Sequence, residues 1–118
     1  MIARYWRGWT RPQDAENYEA VLKNKVLPNL KNVEGYRGGY VLRRDANEKA
    51  ESQEHTTQKD GPGEVEFVVI NFFESLDSVR RFAGPDYTVA VFEPEARQLL
   101  SRIEPLARHY EVRQNTAD

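Results

Sequence analysis

The sequence predicts one small α+β domain with the element order βαββαβ. Its 118 residues are enough for one hydrophobic core and too few for two. Stretches with strand-like alternation are separated by stretches in which apolar residues recur at helical spacing. One stretch, Glu64 to Glu74, is apolar in both phases, which is typical of a central strand covered on both faces.

The first two strands are predicted at residues 2–10 and 36–45. In the first, Ile2, Arg4, Trp6 and Thr10 share one face. In the second, adjacent glycines at positions 38 and 39 indicate a bulge or a close approach of another backbone segment.

The first helix is predicted to follow the first strand and to reach about Leu30. An apolar stripe at steps of three and four residues supports it: Ala15, Tyr18, Leu22 and Val26. Thr10 and Gln13 match a capping box, which predicts Thr10 as the N-cap. Pro28 is expected to kink or end the regular helix because it lacks an amide hydrogen.

The remaining elements are predicted from turn and capping signals. Residues 46–63 are polar and are predicted to form a mobile loop before the third strand. Ser75 is predicted to cap a second helix that Gly84 ends, and Pro94 to open another short helix. The last strand is predicted from Pro105 to about Arg113. The domain therefore spans 1–113, and residues 114–118 form a frayed tail.

The third strand also predicts a homodimer formed through the sheet. Val68, Ile70 and Phe72 occupy one phase, and each would lose roughly 1.5–3 kcal/mol if it stayed in water. The predicted helices can cover only the other face, so a second copy is the expected cover. The alternative is a monomer in which the short helix near Leu99 and Leu100 folds across this face.

Composition excludes several classes of function. The formal net charge of -2, with acids and bases mixed, gives no electrostatic footprint for nucleic acid. The chain contains no cysteine, and no apolar stretch is long enough for a signal peptide or a membrane span. We therefore expect a cytoplasmic protein without a disulfide framework.

Four segments together resemble the antibiotic biosynthesis monooxygenase domain family of the dimeric α/β-barrel superfamily. They are residues 1–8, 38–44, 67–75 and 109–112. The resemblance implies ferredoxin-like subunits, each with a four-stranded antiparallel sheet, that pair through their sheets. It also implies a cofactor-independent monooxygenase acting on an aromatic or quinol-type small molecule. Haem-degrading relatives carry a histidine in the helix after the third strand, and residues 77–83 contain none.

Asn71 and His109 are the predicted catalytic residues. Asn71 is a polar residue in a buried strand phase, where its amide can hold a substrate oxygen; it can equally be a structural amide bonded to backbone or water. His109 has an intrinsic pKa suited to proton transfer, or it can be a half-exposed strand residue bonded to a carboxylate or a carbonyl. No metal-ligand spacing and no cofactor motif are present.

Five aromatic residues are predicted to line the substrate cavity between helices and sheet, with ordinary core packing as the alternative. They are Trp6, Tyr18, Tyr40, Phe67 and Phe73. Arg4 and Arg43 are expected to form salt bridges with Glu66 or Glu111 across the sheet, with substrate binding as the less favoured alternative. The competing function is a non-catalytic small-ligand-binding or stress-response dimer module, which would use the same subunit without turnover.

Overall fold

The computed structural model describes residues 1–45 and 63–116, so nearly all of the predicted 46–63 loop lies outside the described residues. The strands are β1 Ile2–Thr10, β2 Tyr36–Asp45, β3 Val65–Phe73, β4 Leu100–Ile103 and β5 Arg108–Glu111. The helices are α1 Ala15–Val21, α2 Leu27–Lys31, α3 Leu76–Ala83 and α4 Pro94–Leu99. No helix in this part of the chain has the length and apolarity needed to cross a bilayer.

All strand pairs in the sheet are antiparallel, in the order β2-β3-β1-β4. β5 also pairs with β1, beside its first half, whereas β4 lies beside its second half. β4 and β5 thus fill one strand position in two pieces, and the predicted α+β fold with its four-stranded ferredoxin-like order is confirmed. The sheet is open.

The predicted start of the last strand at Pro105 is wrong. The chain joins the sheet earlier, at Leu100, leaves it after Ile103 and returns at Arg108. Pro105 lies in this interruption, since it has no amide hydrogen to donate to β1. Its carbonyl instead accepts a hydrogen bond from the Ala90 amide at 3.0 Å.

The predicted capping role of Thr10 is also wrong. Thr10 remains in β1, where it pairs with Val65 on one side and Leu100 on the other. The helical segment begins with a 3₁₀ turn at Pro12–Asp14, with Arg11 in the N-cap position and no side-chain cap. Sheet pairing on both sides has overridden the local capping signal. As a result, the Thr10 hydroxyl is buried without a hydrogen-bond partner among the described residues.

Pro28 interrupts the regular helix without ending it. A π-helical turn, Leu22–Val26, separates α1 from α2, and the Leu27 amide donates to the Leu22 carbonyl five residues back. A proline ring clashes with the carbonyl four residues before it, and a wider turn before Pro28 relieves that clash. The helix then continues to Lys31, and Gly35, with φ +93°, turns the chain into β2.

The helices in the described part of the chain cover one face of the sheet only. Phe67 and Phe73 of β3 point into this layer and are fully buried. Ala96 of α4 packs in the same cluster as Ala15 and Tyr18, so the alternative of this helix folding across the other face is not observed. That other face, here called the open face, presents half-buried and exposed apolar residues: Tyr40, Leu42, Val68, Ile70, Phe72 and Tyr110.

Replacing Thr10 by valine is expected to raise the free energy of unfolding by about 1 kcal/mol. The substitution removes a buried hydroxyl that has no partner and keeps the branched shape that suits a strand. Urea denaturation of Thr10→Val measures this change, with Thr10→Ser, which keeps the hydroxyl and loses the methyl group, as the matched control. A destabilised valine variant would mean that Thr10 does cap the helix.

Candidate functional site

Asn71 lies at the middle of the helix-covered face of the sheet. Its register partners are Arg4 on β1 and Gly39 on β2. The Tyr36 hydroxyl donates to its Oδ1 at 3.1 Å. Its Nδ2 group makes no hydrogen bond to any described residue. The amide is therefore oriented by Tyr36 with its donor end available to a ligand.

Gly39 is required beside this amide. A Cβ atom at position 39 would lie 2.3 Å from the Ile70 carbonyl oxygen and 2.5 Å from Asn71 Oδ1. Both distances are shorter than any van der Waals contact. The adjacent Gly38, with φ +95°, forms the bulge that shifts the register between Tyr36 and Gly39, so the predicted bulge is confirmed.

Arg4 is a buried cation without a carboxylate. It is 5% exposed, and its guanidinium donates to the carbonyl oxygens of Tyr87 and Val89 and lies 5.5 Å from the Phe82 ring centroid. Within residues 1–45 and 63–116 no acid lies within ion-pair distance of it. Burial lowers the pKa of Arg4 to about 10.

The expected pairing of Arg4 with Glu66 or Glu111 is therefore wrong. Glu66 pairs instead with Arg7 at 3.2 Å and with Arg44 at 3.1 Å. The side chains of Arg7, Arg44 and Glu66 all lie on one face of the sheet, and Arg4 lies on the other. Glu111 pairs with Arg113.

Arg43 does form salt bridges, as expected of it, but with other acids. Its partners are Glu16, Glu19 and Asp45, at 2.7–3.1 Å. These hydrogen bonds raise the pKa of Arg43 above its ordinary value.

His109 lies behind Arg4 and outside the cavity lining. Its Nε2 is 3.0 Å from Arg4 Nη1, and since a guanidinium can only donate, Nε2 is the acceptor. Its ring meets the Tyr87 ring edge to face at 5.0 Å. Burial and then the Arg4 charge lower the pKa of His109. The neutral imidazole thus holds Arg4 in position.

Two adjoining cavities lie between the helices and the sheet. The smaller, about 60 Å³, is bordered by Arg4, Trp6 and Asn71 on the sheet, with Phe82 and Phe92 closing it. The larger, about 210 Å³, extends from Asn71 towards β2. Both share one wall, made of Leu22, Val26, Leu30, Val69 and Asn71. The two cavities are together called the cleft below, and Asn71 borders both of them.

The five predicted lining aromatics divide into three groups. Trp6 and Tyr18 border the smaller cavity. Phe67 and Phe73 are fully buried core residues. Tyr40 borders the larger cavity from β2, but its ring packs edge-on against Phe72 on the open face and is 64% exposed.

Phe82 and Phe92 border the site although the sequence did not indicate them. For Arg4, substrate binding was the less favoured alternative to a salt bridge. The available signal for Arg4 was its strand phase, since it is the one charged residue in the phase that Ile2, Trp6 and Thr10 share. Glu93 also borders the cleft, where its carboxylate accepts from the Glu95 amide at 3.2 Å. Among the described residues no group of three or more histidines or acids is arranged to hold a metal ion.

The strand order and the single layer of helices define a ferredoxin-like protein with the fold of antibiotic biosynthesis monooxygenases. Rv0793 from Mycobacterium tuberculosis has a similar structure, with TM-score 0.58, 16% identity and 98% of each chain covered. So does a Bordetella bronchiseptica protein that carries the provisional name antibiotic biosynthesis monooxygenase, with TM-score 0.53, 17% identity and coverage of 96% of this chain and 97% of that one. Protein-family models and curated protein sequences give no match. Identities this low establish the fold alone.

The lowered pKa of His109 predicts that acid destabilises the protein. The unfolded histidine takes up a proton near its ordinary pKa of 6.5, whereas the native one resists protonation. The stability is therefore complete above that pH and falls as the pH drops through it towards the native pKa. Urea unfolding at pH 7.5 and 5.5 should show a smaller pH effect in His109→Gln than in the wild type.

The control for this measurement is His55→Gln, which removes the other histidine of the chain. It should leave the pH effect near that of the wild type. An identical pH effect in His109→Gln and the wild type would contradict the assignment of a neutral, Arg4-bound imidazole.

Proposed function

We propose that the protein is a homodimeric, cofactor-independent monooxygenase that oxidises a phenol or quinol of one ring in the cleft around Asn71. The observation that carries the proposal is Asn71, whose amide Tyr36 orients and which borders both apolar cavities, while no described residue accepts from its Nδ2. The fold shared with the Bordetella protein supports the same class. Since the chain contains no cysteine and needs no oxidising compartment, we assign it to the cytoplasm.

The proposed chemistry uses the cleft to stabilise a phenolate. Asn71 Nδ2 donates a hydrogen bond to the substrate oxygen, which favours its ionised form. The electron-rich ring then reacts with dioxygen, and a ring carbon gains one oxygen atom. The second oxygen atom leaves as water with the hydrogens of one O–H and one C–H bond, so that a phenol and dioxygen give a quinone and water. The apolar walls keep other water out.

The volumes of the two cavities limit how large a substrate can be. A dry apolar cavity of ~150 Å³ can hold benzene. The larger cavity, about 210 Å³, therefore accommodates one aromatic ring. The smaller, about 60 Å³, accommodates only a substituent. Polycyclic substrates exceed this space, and so a single-ring phenol or quinol is the class that fits.

The dimer is proposed from the open face. Tyr40 and Tyr110 are more than half exposed there, beside half-buried Ile70 and Phe72. Each Å² of apolar surface that is buried stabilises a complex by about 25 cal/mol. A contiguous apolar patch therefore favours association with a second surface that covers it. A second copy pairing by two-fold symmetry presents the same apolar surface in return. The opposite end of this face carries the Arg7–Glu66 ion pair, which borders the patch.

A second candidate function is binding without turnover, as in a ligand-binding or stress-response module. It is favoured by the position of His109, which borders neither cavity and accepts from Arg4. Glu93 is then the one acid in the lining of the smaller cavity, and it is bonded to the Glu95 amide. A ligand that raises the melting temperature and is never oxidised would favour this function.

Replacing Asn71 by aspartate is expected to lower kcat for phenol oxidation about 10²-fold. The carboxylate can still accept from Tyr36, but it no longer donates to the substrate oxygen. Oxygen uptake with a panel of single-ring phenols and quinols measures the effect. Asn24→Asp, on the exposed side of the helical segment, is the matched control and should keep full activity. No uptake by the wild type across the panel would reject the oxygenase.

Replacing Tyr40 by glutamate is expected to convert the dimer into a folded monomer. The ring is largely exposed in one subunit, so folding tolerates the change, whereas a dimer interface would bury an unpaired charge. Sedimentation equilibrium at micromolar concentration measures the mass. Ala20→Glu, at an exposed position on α1, should remain dimeric. A monomeric wild type would reject the sheet-paired dimer.

A further inference from the structure

The buried guanidinium of Arg4 has unused donors. Five N–H groups belong to an arginine side chain. Nη1 serves the Tyr87 carbonyl and His109 Nε2, and Nη2 serves the Val89 carbonyl at 3.2 Å. Nε and one hydrogen of Nη2 make no bond to any described residue. These two nitrogens share one edge of the guanidinium, the arrangement that matches the two oxygens of a carboxylate.

No acid among residues 1–45 and 63–116 compensates the charge of Arg4. Its partners are two backbone carbonyls, a neutral imidazole and the Phe82 ring. None of these four groups carries a negative charge. Buried charges in folded proteins are normally paired. The one carboxylate bordering the same cavity, that of Glu93, lies beyond ion-pair distance and caps α4.

We propose that the ligand of the cleft is an aromatic acid whose carboxylate pairs with Arg4 while its ring occupies the larger cavity. The smaller cavity, bordered by Arg4, has room for a carboxylate and not for a ring. The larger cavity has room for one ring, and Asn71 borders both cavities. This inference rests on the proposed function, since it assigns the substrate class of the same cleft.

The geometry gives each residue a separate task. Asn71 and Arg4 are register partners on adjacent strands, so their side chains leave the sheet side by side. Arg4 binds the carboxylate, and Asn71 holds a second oxygen of the ring. His109 is a positioning residue, because it acts through Arg4 and not on the ligand.

The test compares an acid with its uncharged analogue. Binding of 4-hydroxybenzoate and 4-hydroxybenzamide to the full chain is measured by calorimetry at pH 7.5. The wild type should bind the acid at least tenfold more tightly. In Arg4→Gln the preference should fall to about one, and in Arg43→Gln, where a surface arginine is lost, it should be unchanged. Equal affinities in the wild type would overturn the proposal without reference to any variant.

Oxygen uptake separates this proposal from the oxygenase. If the acid binds with the expected preference and is not oxidised, the anion site stands and the proposed oxygenase falls. If the acid is oxidised with the same KM in the wild type and in Arg4→Gln, the oxygenase stands and the anion site is overturned. A folded Arg4→Gln protein, verified by circular dichroism, is required for the second comparison, and Arg4→Lys, which keeps the charge, should retain part of the preference.

Discussion

The antiparallel register between β1 and β3 is the constraint on which the rest of the structure depends. It sets Ile2 opposite Phe73 and Thr10 opposite Val65, and every pair between them follows. Because side chains alternate strictly along a strand, a slip of one residue would exchange the two faces. Arg4 would then lie opposite Ile70 or Phe72, on the other face of the sheet from Asn71. The same register therefore determines the core, the cleft and the open face.

The sequence was sufficient for the elements whose signals are local. The first three strands show alternation or a two-faced apolar run. Ser75 and Pro94 mark helix starts that the structure keeps, with Ser75 Oγ accepting from the Ser78 amide at 3.2 Å. These signals act over a few residues, and no tertiary contact opposes them. Asn71 was chosen as a candidate site residue for the same reason. A single amide among apolar residues of one strand phase can be identified from the sequence alone.

The errors arise where distant parts of the chain meet. Thr10 has the residues of a capping box, but strands on both sides hold it in the sheet. The partners of Arg4 depend on where the carbonyls of Tyr87 and Val89 fall, more than 80 positions away along the chain. His109 resembled a catalytic base because its pKa range suits one. Its position beside the Arg4 guanidinium, which no local signal indicates, follows from the pairing of β5 with β1.

The wide turn at Leu22–Val26 has a consequence for comparing this chain with others. A π-helical turn contains one residue more than an α-helical turn spanning the same height. Aligning this segment with an uninterrupted helix therefore requires a single-residue gap inside a helix, where gaps are seldom allowed. Without that gap, Val26 and Leu30, which form part of the cleft wall, would be matched to positions on a different side of the other helix.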